Sequence, residues 1–474
     1  MESDPQTGLD SAAAAVFAAA IVATFAFAAL GGRVATAQHE DGLANRSLNR
    51  WLIGLSAGAT ANSGFVITGA VALGYSFGTN WLLMPFGWLV GDIVFWRLFP
   101  ERLNAFGRRS AAATIPEILC HETTGRRRHL SIFATTITLV GLALYLSAQW
   151  LAGQKFAAST LGVSNTAALV IFGSLVVSYS AIGRFRGSVY ADAFMAVLRI
   201  LSVAMIATTL VVSVHQDPQS VQQNLSKAGS GFLNPLPNSS VMSAIAFSCG
   251  WAAAAIGFGL GQPQIVSRYL AGASPEETSR SRWIYIAFVQ LTWITMTLLG
   301  VGLRGLYPEL PDPEVGLAVF GHEHLPPILF GILVADAFGV IASTANSTLV
   351  AMAETVRTDI LSPERGFARR ALPGLTIACG AATLAIPQFV ETSVLSLAIS
   401  AMATAASGLA VPMAVKLLGF RHDPDSLIAS GTTGIICALV WANSGYASFT
   451  NEALIGIGAA ALAHSIFMYF RRSS

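Results

Sequence analysis

The sequence predicts an all-α polytopic membrane protein, and three observations predict it. Of its 474 residues, 54% are hydrophobic and only 11% are charged, where a soluble domain is about one quarter charged. Apolar stretches of about 20 residues, the length that crosses hydrocarbon, recur along the whole chain. Lys and Arg gather in alternate connections between those stretches, as the positive-inside rule demands. Lipid supplies no water to an open sheet's backbone, so the spans are predicted as helices.

Thirteen spans are predicted. The first, 11–31, follows Glu2, Asp4 and Asp10 and precedes Arg33, Arg46 and Arg50. A secretory signal carries its basic residues ahead of the apolar run, so this segment is read as a helix that stays, with the N-terminus outside. The second, 51–75, has a small, polar middle, SAGATANSGF. The third, 80–98, contains Asp92, and a basic cytoplasmic connection, 99–130, follows it. The fourth, fifth and sixth are 131–153, 165–184 and 188–213, the sixth carrying Asp192 and Arg199. A polar external loop, 214–239, leads to the seventh, 240–262, which ends in AIGFGLGQP. After the eighth, 283–306, the outer segment PDPEVGLAVFGHEHLPP has a middle predicted to lie as a short surface helix. His322, Glu323 and His324 there lack a third partner for a metal site. The ninth, 327–352, is apolar except for its core, VADAFGVIASTANSTL; spans at 370–389, 393–417, 425–443 and 453–470 complete the set. Alternation leaves Arg471 and Arg472 in the cytoplasm.

Of 27 Lys and Arg, 23 fall in segments this topology places inside, Arg126, Arg127, Arg128, Arg365, Arg369 and Arg370 among them. Lys155, Lys227 and Arg304 fall outside, and Arg199 within a span. The net charge of +2 thus serves orientation, and no nucleic-acid partner is implied. Cys120, Cys249, Cys379 and Cys437 are scattered and read as small apolar residues, neither a disulfide framework nor a metal site.

Spans two and seven share a feature. Glycine and proline weaken both as helices, and they lie five spans apart, entering the membrane from opposite sides. Paired interrupted helices in inverted halves point to a secondary transporter's binding site. The chain accordingly divides into 1–50 (an extra helix and cytoplasmic loop), 51–213 (a first five-helix repeat), 214–239 (an external loop), 240–417 (a second, inverted repeat) and 418–474 (two final helices).

Span nine carries the polar chemistry. At about 100° per residue, Asp336, Val340, Ser343, Thr344 and Ser347 form one stripe, with Asn346 at its edge. An Asp in mid-membrane costs roughly 2.5–3.5 kcal/mol on insertion scales, so the stripe must face protein, water or an ion. Hydroxyl and carbonyl oxygens are hard donors that suit a hard cation. For Asp192 and Asp92, pairing with an arginine such as Arg199 is the alternative to an ion-binding role.

Five segments in sequence order, SAGATANSGF, QWLAGQKFAASTLGVS, YSAIGRFRGSVYADAFMAVL, GFGLGQPQIVSRYLAG and ADAFGVIASTANSTLVAMAETVRTDI, resemble the sodium:solute symporter family. Within it they are most similar to the sodium/proline branch. The resemblance covers about residues 50–420. It implies a LeuT-like fold with 5+5 inverted repeats, spans two to six and seven to eleven. It implies sodium held by the carbonyls of Ala59, Asn62 and Val340 and the hydroxyls of Ser343 and Thr344. It also implies a second sodium site at Asp192, Ser343, Asn346 and Ser347, although Asn346 stands where relatives have serine. Two departures mark the substrate side. Ala61 replaces a carboxylate of the proline symporters, and Ala255 and Gly259 replace aromatics.

The expected activity is sodium-coupled symport of a small organic solute, an amino acid and first of all proline, by alternating access. Asn62, Ser63, Gln149, Trp150, Phe258 and Gln262 are the candidate substrate contacts. Asp336 is an additional carboxylate, read as compensating for the one missing at Ala61 or as binding a substrate amine. No enzymatic constellation stands out. The expected setting is a bacterial inner membrane, multi-pass, as a monomer or loose oligomer, with sodium and the solute as partners. Two other readings remain open: a proton-coupled carrier using Asp336 or Asp192, and a non-transporting membrane sensor.

Overall fold

Proline and short polar side chains set the helix boundaries of the computed structural model, which describes residues 9–37, 42–123, 125–236, 241–361, 365–389, 394–447 and 449–471. Glu2, Asp4 and Arg472 lie outside the described residues, as do the side chains of Arg365, Arg369 and Arg370. In chain order the helices are α1 (Ser11–Ala37), α2 (Arg50–Ala61), α3 (Ala70–Phe77), α4 (Leu83–Leu98), α5 (Pro100–Ser110), α6 (Ile115–Cys120) and α7 (Arg127–Leu161). They continue as α8 (Asn165–Gln216), α9 (Pro218–Lys227), α10 (Val241–Gly261), α11 (Pro263–Leu270), α12 (Pro275–Arg280) and α13 (Arg282–Leu306). The last are α14 (Gly316–His324), α15 (Pro327–Thr355), α16 (Arg365–Leu384), α17 (Val394–Leu417), α18 (Pro424–Ala442) and α19 (Glu452–Phe470). Asn49 caps α2, its side chain accepting from the N–H groups of Trp51 and Leu52 at 3.1 and 3.0 Å. Pro218, Pro263, Pro275 and Pro424 each stand in the first turn of a helix, where the missing N–H costs nothing.

Among the described residues, ten helical stretches are long and apolar enough to cross a membrane. The thirteen spans expected from sequence do not appear as thirteen separate stretches, for three reasons. Phe65–Ser110 runs the end of the expected second span into the third. Asn165–Gln216 joins the fifth and sixth through a kink at Arg184, whose φ of 53° leaves the helical region. The expected tenth is a shorter apolar helix, Ala371–Leu384. The short α14 lies where a surface helix was expected. By contrast α5, α6 and α9 occupy segments read from sequence as loops.

Burial orders the bundle. In Pro327–Leu361, which contains α15, 83% of the most apolar window is buried, against 17% in α1. α15 packs on α8, α7 and α1, while α10 lies between α4 and α17 and α13 runs beside α3. Small residues permit the closest approaches: a Cβ on Gly31 of α1 would stand 2.5 Å from Gly187 Cα of α8. The polar middle of α15 is therefore enclosed by protein on all sides.

Candidate functional site

Two helices break at the level of that polar middle. α2 stops at Ala61, because Asn62 takes φ −81°, ψ 71° and its N–H closes the last turn onto Gly58 O. Among the described residues no backbone N–H then reaches the carbonyl of Ala59. The chain resumes as a π-helical turn, Phe65–Gly69, that leads into α3. Gln149 of α7 bridges the gap by accepting from Gly64 N–H at 2.8 Å. Position 64 must be glycine for this approach, since a Cβ there would lie 2.5 Å from Ala152 Cβ. The second break separates α10 from α11 at Gln262, which is extended (φ −101°, ψ 107°) ahead of Pro263.

The stripe on α15 divides between two neighbours. Thr344 faces α2, its hydroxyl donating to Thr60 O at 3.0 Å, and Ser347 Oγ stands 3.0 Å from Thr60 Oγ1. Ser343 faces α8, donating to Asp192 Oδ1 at 2.6 Å. Ser56 donates to the other carboxylate oxygen at 2.6 Å. Arg268 of α11 completes the group. Its Nη2 donates to Asp192 Oδ2 at 3.1 Å, Ser188 Oγ at 2.9 Å and Ser347 Oγ at 2.5 Å, and its Nε to Ser56 Oγ at 3.2 Å. Asn346 donates to Ser188 Oγ at 2.8 Å. The side chains of both Asp192 and Arg268 are 0% exposed. Asp192, Ser343, Asn346 and Ser347 thus come together as one oxygen-rich cluster, and the cation within it is a guanidinium.

Asp336 is paired with an arginine. Arg199 Nη1 donates to its Oδ2 at 2.7 Å, with both side chains at most 1% exposed. The arginine expected as a partner for Asp192 therefore pairs with Asp336, and Arg268 takes Asp192. Asp92 is buried on α4 with Oδ2 unpartnered among the described residues.

The candidate substrate residues are partly gathered. Asn62 Oδ1 accepts from Trp293 Nε1 at 2.6 Å and Thr292 Oγ1 at 2.9 Å. Phe258 lies edge-on to Trp88 at 5.5 Å and to Tyr145 at 6.5 Å between ring centroids. Ser63 accepts from Phe65 N–H at 3.3 Å. Asn62 Nδ2, Gln262 Nε2, Trp88 Nε1 and the Tyr145 hydroxyl are buried without a partner among the described residues. Trp150 turns elsewhere: its indole N–H donates to Thr383 of α16 at 3.1 Å, and its ring meets Phe172 of α8. Sequence reasoning did not single out Trp88, Tyr145, Ser56, Ser188 or Arg268. Only Ser188 left a signal, one helical turn before Asp192.

The family model described as the sodium:solute symporter family matches residues 42–411. The chain belongs to the sodium:solute symporter family. The high-affinity proline transporter PutP of Bacillus subtilis is 24% identical over 433 residues, 89% of this chain and 90% of its own. A sodium/proline symporter of Staphylococcus aureus is 25% identical over 335 residues, 68% of this chain and 63% of that protein. Among solved structures, a Na+-coupled sialic acid symporter superposes with a TM-score of 0.78 over 96% of this chain and 97% of its own, at 18% identity. The nucleobase-cation symporter Mhp1 superposes with a TM-score of 0.55 over 90% and 94%, at 15% identity. The fold is the LeuT-like fold of these transporters. This family member is a sodium-coupled symporter of a small organic solute, carried in a multi-pass helical membrane protein, and not an enzyme.

Proposed function

We propose that this symporter takes up an amino acid, proline first, by coupling it to one sodium ion bound at the α2 break. Sodium lies among the carbonyls of Ala59, Asn62 and Val340 and the hydroxyls of Ser343 and Thr344. The observation that carries the reading is the break itself. The Ala59 carbonyl lacks a helical partner, and Thr344 stands within hydrogen-bond distance of the next carbonyl, Thr60. Such hard, mostly neutral donors suit a monovalent cation that must leave again. An ion shifts a conformational equilibrium only through different affinities for its two states. Ser343, turned here toward Asp192, supplies that difference by rotating between carboxylate and ion. The cluster at Asp192, Ser343, Asn346 and Ser347 is the second cation site, and Arg268 occupies it in this conformation. A second sodium requires the guanidinium to move off Asp192.

Substrate binds between the two breaks, against Asn62, Ser63, Gln149, Phe258 and Gln262. The unpartnered Asn62 Nδ2, Gln262 Nε2, Trp88 Nε1 and Tyr145 hydroxyl supply donors for a carboxylate, and the rings supply an apolar wall. The proline symporters among its relatives favour proline within this class.

The chain crosses thirteen times, N-terminus out and C-terminus in, in a bacterial cytoplasmic membrane. Residues 51–213 and 240–417 form the inverted repeats. A cavity of about 540 Å³ reaches Pro263 and Ser267 of α11 and is lined by Arg46, Arg184, Arg186 and Arg357. The four arginines outnumber Glu117 and Glu354 in this lining, which supports reading that end as cytoplasmic and the conformation as inward-facing. Toward the opposite end of the bundle, Lys155 of α7 pairs with Glu314 and Asp312, in the segment just ahead of α14.

The test is a melting-temperature screen of the purified protein with single amino acids, in sodium or choline chloride. A true substrate at a hundred times its dissociation constant stabilises by about 2.7 kcal/mol. Proline should stabilise in sodium and not in choline. If no amino acid does so, the substrate class is wrong.

A further inference from the structure

Three contacts between α8 and α15 share one register. Ser188 Oγ lies 3.3 Å from Ser347 Oγ, Ser343 donates to Asp192 at 2.6 Å, and Arg199 donates to Asp336 at 2.7 Å. Steps of four and seven residues along α8 meet the same steps, reversed, along α15. The residue numbers of every pair add to the same total, which antiparallel helices produce only in a single fixed register. Between the second and third contacts Gly339 faces Met195, where a Cβ would stand 2.2 Å from the sulfur. Seven residues advance a helix by about 10 Å, so the ion pair sits two turns beyond Asp192 and Ser343 on one seam.

Arg199 and Asp336 are almost fully enclosed, and each is the other's charged partner. Arg199 Nε and Nη2 have no hydrogen-bond partner among the described residues, and beside Asp336 stands only the Ser202 hydroxyl, a neutral group. A buried charge with a single counterion tolerates no separation from it. Rotating α15 by one residue, about 100°, would strand both charges in a low-dielectric interior. It would also part Ser343 from Asp192. Buried polar groups at a helix interface are best attested as devices that fix register.

We propose that Arg199 and Asp336 are positioning residues for the sodium site, holding α15 in the register that opposes Ser343 to Asp192 and presents Ser343 and Thr344 at the α2 break. This rests on the reading of Ser343 as a sodium ligand. The pair touches neither ion nor substrate; it acts through the ligands two turns away.

The test titrates purified protein with sodium chloride against choline chloride at constant ionic strength. The midpoint of the sodium-dependent rise in melting temperature is read for wild type, Ser343→Ala, Asp336→Asn and the double variant Arg199→Met/Asp336→Leu. The double variant removes both charges together, so it gives the answer if Asp336→Asn does not fold. The inference predicts a sodium midpoint raised about ten-fold or more in the pair variants. A merely structural pair would lower the sodium-free melting temperature and leave the midpoint in place, and that result in the double variant overturns the inference. An unchanged midpoint in Ser343→Ala overturns instead the reading of the sodium site.

Discussion

Arg268 brings a guanidinium into a space it shares with Asp192, Ser56, Ser188 and Ser347, and this explains why so many hydroxyls cluster in mid-bundle. Hydrogen bonds to charged groups are worth about 1.5–3 kcal/mol each, more than those between neutral groups. Removing one member of a buried pair leaves the other charge uncompensated, at a cost of about 3–5 kcal/mol. Asp192→Asn should therefore melt well below wild type in sodium-free buffer, and below Ser347→Ala. Adding Arg268→Gln to Asp192→Asn should recover part of the loss. A wild-type melting temperature in Asp192→Asn would show that the pair carries no such load. The sequence made the carboxylate conspicuous but hid its partner. Arg268 follows an expected span, where arginine reads as an orientation signal. Asp336 was legible as anomalous, yet Arg199 lies 137 positions away, and no periodicity within one helix can report a contact between two.

Helix interruption was the most legible feature at the level of elements. SAGATANSGF and GFGLGQP announce low helix propensity directly, and α2 and α10 end inside them. The stitch across the first break was not legible. Gly64 N–H to Gln149 joins α7 to a segment 85 positions earlier. Gly64→Ala forces a side chain against Ala152, and overpacking of this kind costs about 1–3 kcal/mol. Melting of Gly64→Ala should fall accordingly, and Gly64→Ala/Ala152→Gly should regain most of the loss by vacating the contact. Failure of the second change to help would mean that the break is held by something other than this approach. The short α5, α6 and α9 escaped the hydropathy reading, because helices of one to three turns are too short to stand out from loops on that measure. Where composition suggested separate spans, helical structure runs on through Phe65–Ser110 and, across the kink at Arg184, through Asn165–Gln216.

Across the whole molecule, one end offers a cavity lined by four arginines and two glutamates that reaches α11, while toward the other Lys155 pairs with Asp312 and Glu314 just ahead of α14. A single oxygen-rich layer, carried on the middle of α15, lies between them. A carrier that alternates needs one accessible side, one occluded side and a polar layer between them. The polarity of VADAFGVIASTANSTL made the layer foreseeable from sequence. The state of the carrier was not foreseeable, because both states share one sequence. The central claim is that sodium, bound at the α2 break by Ser343 and Thr344, drives solute uptake. The most direct test is uptake of labelled proline into proteoliposomes under an inward sodium gradient, compared with an inward proton gradient without sodium. The account predicts sodium-driven uptake, none driven by protons alone, and a loss of about ten-fold or more in Ser343→Ala/Thr344→Ala. Proton-driven uptake without sodium, or an unchanged sodium dependence in the double variant, would contradict it.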